Sequence, residues 1–169
     1  MKEIDLDKLF EMLKGRELGF EEELHEFARA LRGDFELRGF FEDERVPAEN
    51  KKKFFSFVKP QALPLFKGFI ELLVDQGLER EIVNLAERFT QLTAIRLGVT
   101  FVNISSARPL SGEQEEKIKK VVRGNVILRV KIDPDLIGGV RFITSDGRYF
   151  DGSLKNKIEN LKDELIHVR

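Results

Sequence analysis

Ile132–Leu165 reads IDPDLIGGVRFITSDGRYFDGSLKNKIENLKDEL, and its punctuation lays out a small packed module. The pattern predicts a strand, a tight loop, a second strand, a turn, a strand end and an amphipathic helix. Gly138-Gly139 lies between two apolar runs, where a side chain would block close backbone approach. Asp146-Gly147 separates Phe142-Ile143 from Tyr149-Phe150, a strong short-range hairpin signal. Ser153 is placed to cap a helix whose apolar stripe is Leu154, Ile158, Leu161 and Leu165. Nothing in the stretch has the makings of a catalytic group; it specifies a shape.

Upstream, Val126, Leu128, Val130 and Ile132 alternate with Arg129 and Lys131, the period of a half-buried strand. Gly124-Asn125 stops a helix carrying Ile118, Val121 and Val122, and Ser111 with Gln114 supplies its capping box. Val99–Ile104 is β-branched and aromatic, a further strand. The C-terminal part is therefore expected to be a β-α-β-β-α module with helices on a small sheet.

Before Gly98 the period is helical throughout. Leu6, Leu9, Phe10 and Leu13 form one stripe ended by Gly15, and Phe20, Leu24, Phe27, Ala28 and Leu31 a second stopped by Gly33. Asp34 caps a third helix with Leu37, Phe40 and Phe41, and Pro47 opens a fourth with Phe54, Phe55 and Val58. The fifth, Gln61–Gln76, is apolar nearly all round, through Leu63, Leu65, Phe66, Phe69, Ile70, Leu72 and Leu73. Such a helix is buried on more than one side, and one side can serve a partner. The sixth, Leu78–Leu97, carries Ile82, Leu85, Ala86, Phe89 and Leu92. The expected fold class is α+β: a six-helix bundle over 1–97 and the α/β module over 98–169, with the boundary near Leu97–Gly98.

Lys and Arg number 29 against 30 Asp and Glu, a net charge of −1, which argues against a generic nucleic-acid binder and against anchoring to anionic lipid. No apolar run is long enough to span a bilayer, and the absence of cysteine excludes disulfides and thiolate metal sites. His25 and His167 have no nucleophile in a recognisable motif, and no Gly-x-x-x-x-Gly-Lys-Ser/Thr loop is present. Asp133, Asp135, Asp146 and Asp151 lack the spacing of a calcium loop and suit turns and caps instead. Neither a catalytic residue, a cofactor nor a metal is expected. An RNA-binding alternative rests on Arg129, Lys131, Arg141, Arg148, Lys155 and Lys157, but lacks the aromatic pattern of an RNA-reading sheet.

Asp133, Pro134, Leu136, Ile137, Gly138, Gly139 and Val140, followed by Asp151, Gly152, Ser153 and Leu154, resemble the C-terminal signature of the delta subunits of F-type ATP synthases. These are relatives of the oligomycin-sensitivity-conferring protein. Glu36–Phe41 with Pro47–Lys53, and Ser105–Gln114 (SSARPLSGEQ), are similar to further family stretches. The chain departs from the family in its first helix, where only Leu9-Phe10 of the usual Tyr-Ala-x-Ala-Leu-Phe run remains. It departs again at Gly77-Leu78, where Gly-Arg is usual, and in a shorter segment before the Val126 strand.

The resemblance implies a non-catalytic stator subunit that joins the catalytic head to the peripheral stalk, so that rotation is coupled to proton-driven ATP synthesis. It implies a bundle that receives the N-terminal helix of an alpha subunit in a groove between its first and fifth helices. It further implies a C-terminal domain that meets b-type stalk subunits, and a monomer held through the complex on the cytoplasmic face of the cell membrane. Helix-in-groove binding needs apolar anchors at i, i+3, i+4 and i+7. The expected groove residues are Leu6, Leu9, Phe10, Leu13, Phe66, Phe69, Ile70 and Leu73.

Overall fold

In the computed structural model, residues 4–154 and 156–157 are described. The chain divides into two compact units, Met1–Thr93 and Ala94–Arg169. Its α-helices are α1 (Leu6–Leu13), α2 (Glu17–Gly33), α3 (Phe35–Glu42), α4 (Ala48–Val58), α5 (Pro64–Gln76), α6 (Ile82–Leu97) and α7 (Gly112–Val122). The strands are β1 (Val99–Ser106), β2 (Asn125–Ile132), β3 (Val140–Thr144) and β4 (Tyr149–Asp151). The fold is α+β.

The helical unit starts and stops where side-chain chemistry says it should. Asp5 accepts from the Lys8 N–H at 3.0 Å, and Asp34 accepts from Glu36 and Leu37, so both act as N-caps. Helix α5 begins at Pro64 rather than Gln61, because proline at the first helical position fixes φ and needs no donor. The Leu63 N–H just before it donates to the Glu23 carboxylate at 3.0 Å. Gly77 is left-handed (φ 68) and ends α5. The expected sixth helix is accordingly broken: Glu79–Glu81 forms one turn of 3-10 helix before α6.

Phenylalanine dominates the core of this unit. Phe20 meets Phe66, Phe69 and Phe89 with ring centroids 5.7, 5.4 and 5.2 Å apart, all edge-to-face. Phe27 meets Phe41 at 5.3 Å and Phe55 at 5.2 Å. Such pairs add about 0.5–1.5 kcal/mol each beyond area burial. A buried ion pair joins α4 to the 3-10 turn: Lys51 Nζ lies 2.6 Å from Glu79 Oε1, with the two side chains only 5% and 10% exposed. Lys52 reaches Asp75 of α5, also at 2.6 Å.

The second unit holds a four-stranded sheet in the order β2-β1-β3-β4. β1 pairs parallel with β2 and antiparallel with β3, and β3 pairs antiparallel with β4. Helix α7 makes the crossover between the parallel strands, with both capping-box bonds formed between Ser111 and Gln114 (2.9 and 3.3 Å). Ile118 and Val122 of α7 pack on Val102, Ile104 and Phe142.

Two expectations need correcting. The short β4 adds a strand, so the order is β-α-β-β-β up to Asp151. The predicted C-terminal stripe at Ile158, Leu161 and Leu165 lies outside the described residues, as does Lys155; what is described is the cap, with Asn156 N–H donating to Ser153 Oγ at 3.2 Å. Second, burial along β2 does not alternate, because β2 is an edge strand: Val130, Lys131 and Ile132 are all exposed. Arg129 does not project into solvent but lies over the Phe101 ring, 4.2 Å from its centroid.

Candidate partner-binding site

The eight predicted groove residues join one cluster in the helical unit, but not as an open groove. Leu6, Leu13, Phe66, Phe69, Ile70 and Leu73 are buried, four of them at 0–2% exposure. Leu9 and Phe10 are only partly buried, and the Phe10 ring lies 6.2 Å from Phe89 of α6. The apolar side chains that α1 and α5 do expose are Met12 (61%), Leu65 (41%) and Leu72 (46%). Leu65, Gly68 and Leu72 recur at i, i+3 and i+7 and so share one face of α5. At Gly68 nothing lies within 4 Å of where a Cβ would stand, so that face has an open notch between two leucines. The sequence hid this face because α5 is apolar around most of its circumference, with only Lys67, Glu71 and Asp75 marking a polar stripe. The i, i+3, i+7 spacing around a glycine was the available signal.

Among the described residues no group of three or more His, Cys, Asp and Glu could hold a metal ion. A cleft of about 400 Å³ opens beside the Lys51–Glu79 pair, lined also by Glu42, Val46, Asp75 and Arg80. Its charged groups are committed to one another: Lys51 to Glu79, Lys52 to Asp75 at its edge, and Arg80 to the Glu42 carbonyl and Glu44 carboxylate. Among the described residues no helix is long and apolar enough to cross a membrane.

Perturbed acids are structural as well. The Arg45 side chain donates to the Asp43 carboxylate at 2.8–3.2 Å, and the Arg45 backbone N–H adds a bond at 2.9 Å. These bonds hold the Asp43 carboxyl at about 2, below its ordinary 3.8. A depressed carboxylate stabilises the fold at pH values above its unfolded pKa, and that contribution is lost as pH falls through the folded one. Arg45→Ala is expected to bring the Asp43 midpoint back towards 3.8, read by carboxyl NMR titration; an unmoved midpoint would refute the pairing. Asp146 is held low chiefly by Arg148 and then by Thr144, and Asp151 by Ser153. Those acids shape the hairpin and the helix cap.

The signature stretch acts through backbone approach. Gly139 has φ +82, and a Cβ there would run into the Gly152 carbonyl oxygen and stand 3.0 Å from Ser153 Cα. A Cβ on Gly138 would meet Leu154 Cδ1 at 2.6 Å. Two bonds of 2.9 Å lock the crossing, from Gly152 N–H to the Val140 carbonyl and from Leu154 N–H to the Gly138 carbonyl. Leu136 and Ser153 are buried beside it. At the hairpin, Gly147 is left-handed (φ +85), its N–H donates to the Thr144 carbonyl, and Thr144 N–H donates to that of Arg148. The loop is therefore three residues, Ser145–Gly147.

Residues 10–165 match the family model of the ATP synthase delta (OSCP) subunit. ATP synthase subunit delta of Rubrobacter xylanophilus is 32% identical over 150 residues, covering 86% of this chain and 83% of that protein. The same subunit of Moorella thermoacetica is 30% identical over 146 residues, covering 84% and 82%. A chain of the cryo-EM structure of the Toxoplasma gondii mitochondrial ATP synthase hexamer shares the fold, with a TM-score of 0.56 at 16% identity, covering 97% of this chain and 96% of that one. With the Gly138-Gly139 crossing over Gly152-Ser153 set in a match of this length, the chain belongs to the ATP synthase delta (OSCP) subunit family.

Proposed function

We infer that this chain is a non-catalytic stator subunit of an F-type ATP synthase and serves ATP synthesis as part of the peripheral stalk. The observation that carries this is the family match along residues 10–165, with relatives matched over more than four-fifths of their length named as that subunit. The RNA-binding alternative finds no support among those relatives. Three of the six cations it rests on are already engaged: Arg141 pairs with Asp133 and Arg148 with Asp146, and Arg129 lies on Phe101.

The finer assignments are proposals. The N-terminal part acts as the six-helix bundle of the family, with a functional boundary between residues 97 and 98. The bundle receives the N-terminal helix of an alpha subunit along α1 and α5. Leu9, Phe10, Met12, Leu65 and Leu72 make the contact, while Leu6, Leu13, Phe66, Phe69, Ile70 and Leu73 form the floor that holds them in place. Support comes from the exposed i, i+3, i+7 face of α5, which suits an amphipathic helix. The C-terminal module meets the b-type stalk subunits. The chain works as one copy in the complex, peripheral to the membrane on its cytoplasmic face.

A synthetic alpha-subunit N-terminal helix tests the groove on the full-length chain. Leu72→Asp is expected to weaken its binding at least about tenfold, since a buried apolar anchor contributes about 1–3 kcal/mol. The far-UV circular dichroism should stay unchanged, because Leu72 is half exposed. Absence of peptide binding to the unmodified chain at high micromolar concentration rejects the groove while leaving the family assignment standing.

A further inference from the structure

We propose that the outer edge of β2 is a strand-addition site for an extended segment of another protein in which acidic and apolar residues alternate. The inference stands on the C-terminal sheet alone and does not depend on the groove in the helical unit.

β2 is eight residues long, carries no proline and lies at the end of the strand order, paired on one side with β1. The direction of its backbone groups follows from one bond. Asp133 N–H donates to the Ser106 carbonyl at 2.8 Å, continuing the β1–β2 ladder. Backbone groups alternate sides along a strand, so Arg129 and Lys131 also face β1. Leu128, Val130 and Ile132 therefore turn their N–H and C=O groups outward, and among the described residues those groups have no backbone partner. A row of unpaired outward groups is a template for another strand.

Side chains select the occupant. Val130 is 37% exposed and Ile132 44%, on the face that carries the α7 core, so they ask for apolar neighbours on an added strand. Arg129 and Lys131 project to the other face, and Lys131 makes no ion pair with a described residue. Arg123–Ile132 contains three cations and no acid, in a chain whose net charge is −1. A neighbouring strand with Asp or Glu opposite these cations and Val or Ile opposite Val130 and Ile132 satisfies both faces. A second copy of the chain offers Arg129 and Lys131 no acid from its own β2. Antiparallel self-pairing centred on residue 129, 130 or 131 sets Arg129 on Arg129, Arg129 on Lys131, or Lys131 on Lys131, and like charges directly opposite are destabilising.

The test uses the full-length chain and a capped heptapeptide of alternating valine and glutamate, with an alternating valine–lysine peptide as control. Amide hydrogen exchange at Leu128, Val130 and Ile132 is expected to slow at least about tenfold with the glutamate peptide and not with the lysine peptide. Val130→Pro removes an outward N–H and leaves the β1 ladder intact, a position where an edge strand tolerates proline. That variant is expected to lose the protection while its β1 amides stay slow. Lys131→Glu, a surface change that offsets the Arg129 charge on the same face, is expected to abolish the preference between the two peptides. The proposal is overturned if neither peptide protects these amides at millimolar concentration. It is also overturned if both protect them equally, if Val130→Pro binds like the parent, or if the amides become protected by self-association without peptide.

Discussion

Gly139→Val is expected to yield a chain whose helical unit is folded and whose sheet module is not. Two physical effects act on the same atom. Gly139 sits at φ +82, where a side chain is strained by about 1–2 kcal/mol, more for a β-branched one. Its Cβ would also collide with the Gly152 carbonyl oxygen, part of a backbone held by the Gly152–Val140 and Leu154–Gly138 bonds. Overpacking of that kind adds about 1–3 kcal/mol. Together they approach the about 3–5 kcal/mol that a core of some 70 residues supplies. Hydrogen exchange measures the outcome: amides in β1 and β3 become fast while those in α2 and α5 stay protected. Native-like protection in β3 of the variant would contradict the crossing described above. Gly147→Ala provides the contrast. It has a similar φ but nothing within 4 Å of its would-be Cβ, and should pay only the conformational term.

Phe66→Asp should unfold the helical unit rather than merely loosen a partner. Phe66 is fully buried and its ring touches those of Phe20, Phe27 and Phe55. Removing such a ring destabilises by about 3–5 kcal/mol. The introduced carboxylate adds the desolvation of a charge, since Lys59, 5.9 Å from the ring, already pairs with Glu26. Against a domain stability of about 5–15 kcal/mol, the sum leaves little folded population. Far-UV circular dichroism reads the loss directly. A variant with full helicity and weakened binding of the alpha-subunit helix would place Phe66 on the surface and invert its assignment. Leu65→Asp on the same helix should do the opposite, sparing helicity.

The comparison of these two substitutions shows where the sequence was legible and where it was not. Several element boundaries followed local chemistry and were readable, though the starts of α5 and α6 were not: the Asp34 cap, the Ser111–Gln114 box, the Gly77 stop and the Asp146-Gly147 hairpin all act through neighbours within a few residues. The signature glycines were readable too, because only backbone crowding demands that pattern. Helix faces were not. On α5, Phe66 and Leu65 are adjacent and both apolar, yet one is fully buried and the other 41% exposed. Only the packing of Phe20 and Phe55 from other helices decides between them. Strand order was equally hidden. Alternation along β2 suggested a strand with one buried face, but its edge position leaves Val130 and Ile132 exposed. The Lys51–Glu79 pair spans 28 residues, and no local pattern announces it.

The chain contains a single tyrosine and no tryptophan, and that tyrosine, Tyr149, stands in β4 with its hydroxyl donating to Asp151 at 3.2 Å. Intrinsic emission therefore originates wholly from the short outer strand, while the phenylalanine-filled helices are optically almost silent. The molecule carries a built-in single-site reporter, so that events in its sheet unit can be followed separately from the helices without attaching a dye.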